Sequence, residues 1–407
     1  MAGPLGHIRV LDLSRVLAGP WASQILADYG AEVIKIERPG EGDDTRGWGP
    51  PFITNADGSR GDAAYYLSAN RGKKSVAVDI AKPEGQRLIR ALAAKSDILL
   101  ENFKAGGLKK YGLDYQSLRQ AHPKLIYCSI TGFGQDGPYA KRAGYDFMIQ
   151  GMGGAMSITG VPDGEAGAGP VKGGVAFADL FTGLYAVSGI LAALVHRERS
   201  GEGQYIDVAL LDSQIAVLAN QGLNYLVSGV SPPRLGNAHP NIVPYQTFAT
   251  KDGHIIITVG TDRQFREFCR IAELGALADD PRFSNNRSRV ENRASLVALI
   301  AQAMTSRTTQ EWVDALEAAA IPCGPINSIE QAFADAQVLH RGMKLELTRA
   351  DGVKTPSIAN PVRLTKTPVA YERAAPSFGA DTDDVLRSVL EIDKDKIAEL
   401  RRSGVVG

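Results

Sequence analysis

The sequence predicts an α/β protein with two domains, a large one around a parallel sheet and a smaller one of α+β type. Over residues 8–134 short β-branched runs alternate with helical patterns, as in successive βαβ units. Residues 230–328 read instead as a hairpin followed by helices, and strand and helix patterns return beyond them. A chain of 407 residues is long enough for both domains and a large core. The expected division is 1–200 for the first part of the large domain, 201–229 for a linker helix, 230–328 for the small domain, and 329–407 for a return to the large one.

The strands of the large domain are expected at 8–13, 32–37, 75–80, 98–103 and 125–130. Between the first two, Pro20 marks a helix start and Gly30 its stop. Lys82-Pro83-Glu84-Gly85 opens another helix, which runs through Lys95. This is a Rossmann-like beginning, yet its first turn reads Ser14-Arg15-Val16-Leu17-Ala18-Gly19-Pro20 and lacks GxGxxG, so a dinucleotide cofactor is not supported. The longest apolar run, 180–195, has sixteen residues, fewer than the roughly 20 of a membrane span, and His196-Arg197-Glu198-Arg199 closes it. It reads as a buried helix with Asp179 at its N-terminus. A strand at 205–209 and a helix at 211–227 follow, then a Pro, Gly and Asn-rich loop at 229–244. The small domain opens with a hairpin, 245–250 and 255–260, turned by Lys251-Asp252-Gly253. Helices start at Asp262 and at Thr308, where Glu311 completes a capping box.

Lys plus Arg equals Asp plus Glu at 45 each, so no general footprint for nucleic acid or an anionic membrane is present, and anion binding must be local. Cys128, Cys269 and Cys323 form no CxxC pair, which speaks against zinc and disulfides and for a reducing compartment. The six histidines show no ligand spacing, and no metal is expected. His239, in Asn237-Ala238-His239-Pro240, is the histidine best placed to face a substrate. A strand pattern begins at Ile8 with no signal or transit segment before it, and the protein is expected in the cytoplasm.

Asp179 follows Gly173-Gly174-Val175-Ala176-Phe177-Ala178, where a loop of mostly small residues meets the apolar helix. Such an Asp is either an N-cap or a catalyst. The glycines let another molecule approach the backbone, and the helix dipole is expected to hold the carboxylate ionised, as suits a nucleophile.

Several pieces occur in a fixed order: Val10-Leu11-Asp12-Leu13, Ala18-Gly19-Pro20, Val33-Ile34-Lys35-Ile36-Glu37-Arg38-Pro39-Gly40, Asn70 with Lys73-Lys74-Ser75, Glu101-Asn102-Phe103, Gly144-Tyr145-Asp146, Thr159-Gly160 and Ala178-Asp179. From position 5 to about 390 the chain resembles the family III CoA-transferases, the group with formyl-CoA and carnitine CoA-transferases. The resemblance implies a CoA-transferase in which Asp179 attacks an acyl-CoA thioester and passes through an aspartyl-CoA thioester that a carboxylate acceptor takes apart. It also implies an oxyanion donor from the loop through Leu17 and Ala18, although many relatives carry Gln in place of Leu17. The implied CoA cradle is Arg38, Val78-Asp79, Asn102-Phe103-Lys104, Lys110 and the turn Ala143-Gly144-Tyr145-Asp146. Asp146 reads alternatively as a structural cap. CoA thus enters as substrate, with no permanently bound cofactor, and the partners implied are acyl-CoA, a small carboxylate and a second copy of the chain in an interlocked dimer of ring-shaped subunits.

The residues speak against two other activities. An α-methylacyl-CoA racemase uses a His where this chain has Tyr145, and a phenol with a pKa near 10 replaces a neutral-pH base poorly. A non-catalytic CoA-binding protein would not need Asp179 behind its glycines. Within the transferases, the stretch Val259-Gly260-Thr261-Asp262-Arg263-Gln264 has one glycine where formyl-CoA relatives have several. The hairpin's Val243-Pro244-Tyr245-Gln246 with Phe248, and Gly324-Pro325-Ile326-Asn327, resemble the branch using dicarboxylates such as succinate and glutarate.

Overall fold

The computed structural model describes residues 3–407, which form two compact units. The larger unit comprises residues 3–155, Lys172–Val230 and Ala336–Gly407, and the smaller comprises Met156–Val171 and Ser231–Asp335.

The larger unit is built on six parallel strands: β1 (Arg9–Asp12), β2 (Glu32–Glu37), β3 (Lys73–Ala77), β4 (Ile98–Glu101), β5 (Ile126–Thr131) and β6 (Tyr205–Ala209). Their order across the sheet is β3-β2-β1-β4-β5-β6, all pairs parallel. This is the doubly wound order, and its topological switch lies between β1 and β4, where such sheets bind ligands beyond their strand C-termini. Both faces of the sheet are covered, and its strands bury polar side chains, Asp12, Lys35, Glu37 and Lys73, as well as apolar ones. On one face lie α1 (Ala18–Asp28) and α4 (Phe177–Ser200), in a core that includes Ala22, Leu26, Ala186 and Ile190. The other face carries α2 (Pro83–Ala94), with Leu88, Ile89 and Leu92, and the C-terminal helices Thr382–Ser388 and Lys394–Arg402.

The long helix α4 has 24 residues and is apolar enough, by length and composition, to pass as a membrane span. Its packing is that of a core helix: Ala178, Thr182, Gly183, Ala186, Val187, Ile190, Ala193 and Leu194 are buried. It outruns the apolar segment at both ends, and Gly201 stops it in the left-handed conformation. The helix expected over 211–227 is two, Leu210–Ala216 and Ala219–Ser228, broken where Ala219 takes φ +47°. No Pro or Gly dictates that break, so it is a product of packing.

In the smaller unit, Tyr245–Ala249 and His254–Thr258 form the hairpin, and Cys323–Pro325 adds a third antiparallel strand. Phe265, Phe268, Phe283 and Trp312 fill its core. Capping boxes stand at Thr261/Gln264 and Thr308/Glu311. This unit also takes in the two-stranded hairpin Gly160–Val161/Gly169–Pro170, to which Arg234 is tied by a 3.1 Å bond to the Val161 carbonyl.

Candidate active site

Asp179 lies in the first turn of α4 and is not its N-cap; Ala176 holds that position without a side-chain bond. The capping falls to Asp146, first residue of α3 (Asp146–Met152), whose Oδ1 accepts the Ala178 N–H at 2.8 Å and the Asp179 N–H at 3.4 Å. One turn along α3, Gln150 donates to Asp146 Oδ2 at 2.8 Å and accepts the Gly173 N–H at 2.8 Å. Loop and helix start are therefore fixed by α3, and the Asp179 side chain is left to do something else: its carboxylate accepts no hydrogen bond from the described residues. Of the two glycines, Gly173 is required by packing, since a Cβ there would stand 2.4 Å from the Phe177 ring, whereas Gly174 faces open space.

Burial, and then the neighbouring Asp146 charge, push the Asp179 carboxyl up to about 7. The dipole expectation is overturned in this respect: desolvation and a like charge outweigh the helix N-terminus. A half-buried carboxylate titrating near neutrality, with no hydrogen bond from the described residues, has the makings of a nucleophile. Tyr65 stands near the same charges; burial, then Asp179, Asp146 and Asp43, push its phenol up to about 12. Trp48 packs edge-on against it at 5.3 Å.

The Leu17-Ala18 loop comes to this helix through a small residue. Gly183 is one turn beyond Asp179 on the same face of α4, and a Cβ there would meet the Ala18 carbonyl at 2.8 Å. The Leu17 and Ala18 N–H groups donate to no acceptor among the described residues. Val16 before them has φ +71°, a conformation costing about 1–3 kcal/mol for a β-branched residue. Beneath the turn, Asp12 pairs with Lys73 and Lys35 with Asp43, all four side chains fully buried.

The other expected residues lie at the C-terminal ends of the strands or in the segments that follow them. Asn102 and Arg15 exchange bonds of 2.9 and 2.7 Å across the switch point, joining the β1 and β4 loops. Phe103 donates its N–H to Glu101 at 2.7 Å. Arg38, past β2, is exposed and pairs with Glu41 at 3.0 Å. Lys104 and Lys110 are exposed, without an acid partner among the described residues. Val78 is buried against Val406, and the Asp79 N–H is taken by the Val405 carbonyl, so this strand end is covered by the chain's own terminus. Ala143-Gly144 is pressed onto Gly132 after β5, where a Cβ on Gly144 would lie 2.5 Å from the Gly132 Cα. Tyr145, 64% exposed, precedes Asp146.

In the smaller unit, His239 accepts the Asn241 N–H on Nδ1 at 3.0 Å and packs against Tyr245. Arg293 donates to the His239 and Pro240 carbonyls at 2.7 and 3.0 Å, and burial with this cation holds the imidazole below its usual range. Among the described residues no group of three or more His, Cys, Asp or Glu is arranged to hold a metal.

Sequence reasoning missed Tyr65, Trp48, Gln150 and the Lys35–Asp43 pair. Gln150 alone carried a local signal, four residues after Asp146 and thus on its helix face.

Residues 5–382 match the model of CoA-transferase family III. The chain belongs to that family. This transferase is 54% identical to a succinate–glutarate CoA-transferase of Agrobacterium fabrum over 96% of its own length and 97% of the relative's. It is 43% identical to a human succinyl-CoA:glutarate CoA-transferase, over 99% of this chain and 90% of that one. A crystal structure of a CAIB/BAIF family protein from Brucella suis matches 96% of the transferase and all of its own chain, at 49% identity and a TM-score of 0.84.

Proposed function

We propose that this transferase moves CoA from a dicarboxylyl-CoA of the succinyl type to a dicarboxylate such as glutarate, with Asp179 as the covalent carrier. The observation that carries the mechanism is the Asp179 carboxylate itself: half-buried, unbonded, and relieved of capping by Asp146. Its oxygen attacks the thioester carbonyl, and the C–S electrons leave with CoA thiolate, giving a mixed anhydride. The thiolate then attacks the Asp179 carbonyl and expels the donor carboxylate, leaving an aspartyl-CoA thioester. The acceptor carboxylate repeats both steps in reverse order and regenerates Asp179. Each tetrahedral oxyanion needs donors, and the Leu17 and Ala18 N–H groups, next to α4 through Gly183, are the groups we assign.

For CoA we assign the strand C-termini around the switch point. Arg38, Lys104 and Lys110 are exposed cations suited to phosphates, and the Asn102-Phe103 strand end, locked to Arg15, suits the nucleotide. Support for dicarboxylates is the naming of the relatives together with the single glycine in Val259-Gly260-Thr261. We further propose a homodimer: Leu184 and Tyr185 of α4, and Leu223, Tyr225, Leu226 and Val227, are large apolar side chains on the surface of the larger unit. The three free cysteines, two of them buried, fit the cytoplasm.

The test is a matrix of acyl-CoA donors against short mono- and dicarboxylates, read by mass spectrometry. Succinyl-CoA with glutarate is expected to give glutaryl-CoA with the highest kcat/KM. Preference for formate or another monocarboxylate would refute the substrate class.

A further inference from the structure

The groups beneath the Leu17-Ala18 loop make no bond to a reacting atom, yet they determine its shape. Asp43 and Lys35 are fully buried and paired at 2.8 Å. Lys35 donates to the Ser14 carbonyl at 2.9 Å, and Asp43 accepts the Val16 N–H at 3.4 Å, so one ion pair grips the turn on both sides. Asp43 is itself immobilised. Thr45 donates to its carboxylate through N–H and Oγ1 at 3.0 and 2.7 Å, and the Asp43 N–H donates to Glu37 at 2.8 Å. Burial opposes ionisation of Asp43, but Lys35 and the Thr45 donors hold its carboxyl down at about 2.

Val16 is held at φ +71°, in the region that a β-branched side chain avoids. Relaxation to negative φ would reorient the next peptide groups, those of Leu17 and Ala18, where the loop meets α4 at Gly183. Strain of this kind persists only where the surroundings over-determine it. Asp43 also caps the short helix Asp44–Gly47, after which Trp48 comes to rest on Tyr65, so the same carboxylate fixes a second wall near Asp179.

We propose that Asp43 is a positioning residue for CoA transfer: by gripping the strained Val16 turn it keeps the Leu17 and Ala18 N–H groups directed at the Asp179 carboxyl. The inference rests on the reading of Asp179 as nucleophile.

The test compares wild type, Asp43→Asn, Val16→Gly and the double variant by steady-state kinetics and acyl-CoA binding. Asp43→Asn lowers kcat at least roughly tenfold, the scale of a misaligned oxyanion donor, while the KM for acyl-CoA stays within about threefold. Glycine adopts positive φ without penalty, so Val16→Gly added to Asp43→Asn restores part of that loss. A folded Asp43→Asn enzyme with wild-type kcat overturns the proposal. So do equal losses in kcat and acyl-CoA affinity, or effects of the two substitutions that simply multiply. Should the unpaired Lys35 unfold the single variant, Asp43→Asn with Lys35→Gln removes both charges together. That double variant, folded and with wild-type kcat, overturns the proposal too. Hydroxylamine labelling of wild-type Asp179 in the presence of acyl-CoA separates the failures. Without labelling the nucleophile reading falls and takes this inference with it; with labelling and an insensitive Asp43, the inference alone falls.

Discussion

Replacing Asp179 by asparagine should abolish transfer and at the same time stabilise the fold at alkaline pH. The Asp179 carboxyl is pushed up to about 7 by burial and Asp146, from an ordinary value of 3.8. An acid whose folded pKa is raised binds its proton more tightly in the native state, so the native state loses stability as pH rises between those two values. The penalty is absent below the unfolded value, grows through the window, and is complete above about 7. At about 1.4 kcal/mol per pH unit, that window gives a ceiling of about 4 kcal/mol above neutrality, against about 2 kcal/mol at pH 5. The neutral amide of Asp179→Asn carries no such penalty. Urea unfolding of both proteins at pH 5, 6, 7 and 8, at equal protein concentration, isolates the effect. Other titrating groups, including Glu101, which burial pushes up to about 7, are common to both and cancel in the difference. The stability gain of Asp179→Asn should widen by about 2–3 kcal/mol from pH 5 to pH 8. A difference that stays flat with pH, or a wild type that is the more stable at pH 8, would refute the assignment of a desolvated carboxylate beside a like charge.

The remaining predictions concern its surroundings. Wild-type kcat/KM should rise through about pH 7 as Asp179 ionises, and Asp146→Ala, by removing the like charge, should move that limb to lower pH. The same variant should lose about 1 kcal/mol of stability with its cap to Ala178, measured by urea unfolding. Arg38→Ala should weaken CoA much more than pantetheine in calorimetric binding, with little change in stability, since its pair with Glu41 is exposed. Gly183→Ala, although better for the helix by about 1 kcal/mol, should lower kcat because its Cβ would lie 2.8 Å from the Ala18 carbonyl.

Local patterning made much of the fold legible. Strands β2 and β6 coincide with the ranges expected, and the capping box at Thr308 is where its Glu311 places it. The strand expected at 75–80 instead begins at Lys73, because that ammonium is buried against Asp12, Asn70 and the Pro20 carbonyl and is no surface charge. Asp179 was legible as a special carboxylate but not as an uncapped one. Its N–H partner is Asp146, 33 positions earlier, and no local pattern pairs them. Likewise Asp12, Lys35 and Lys73 stand in motifs that mark the family, yet their purpose appears only when three strands bring them under one turn. Burial's victory over the helix dipole is a tertiary effect, invisible in a window of residues around position 179.

On the mechanism proposed, Asp179 becomes covalently acylated and then thioesterified during turnover. Peptide mapping by mass spectrometry after incubation with acyl-CoA and hydroxylamine tests it most directly, because an aspartyl thioester is open to the amine and a resting carboxylate is not. The expected product is a hydroxamate at Asp179 that requires acyl-CoA, with parallel loss of activity. An unmodified Asp179 in an enzyme that continues to transfer CoA in the presence of the reagent would contradict it.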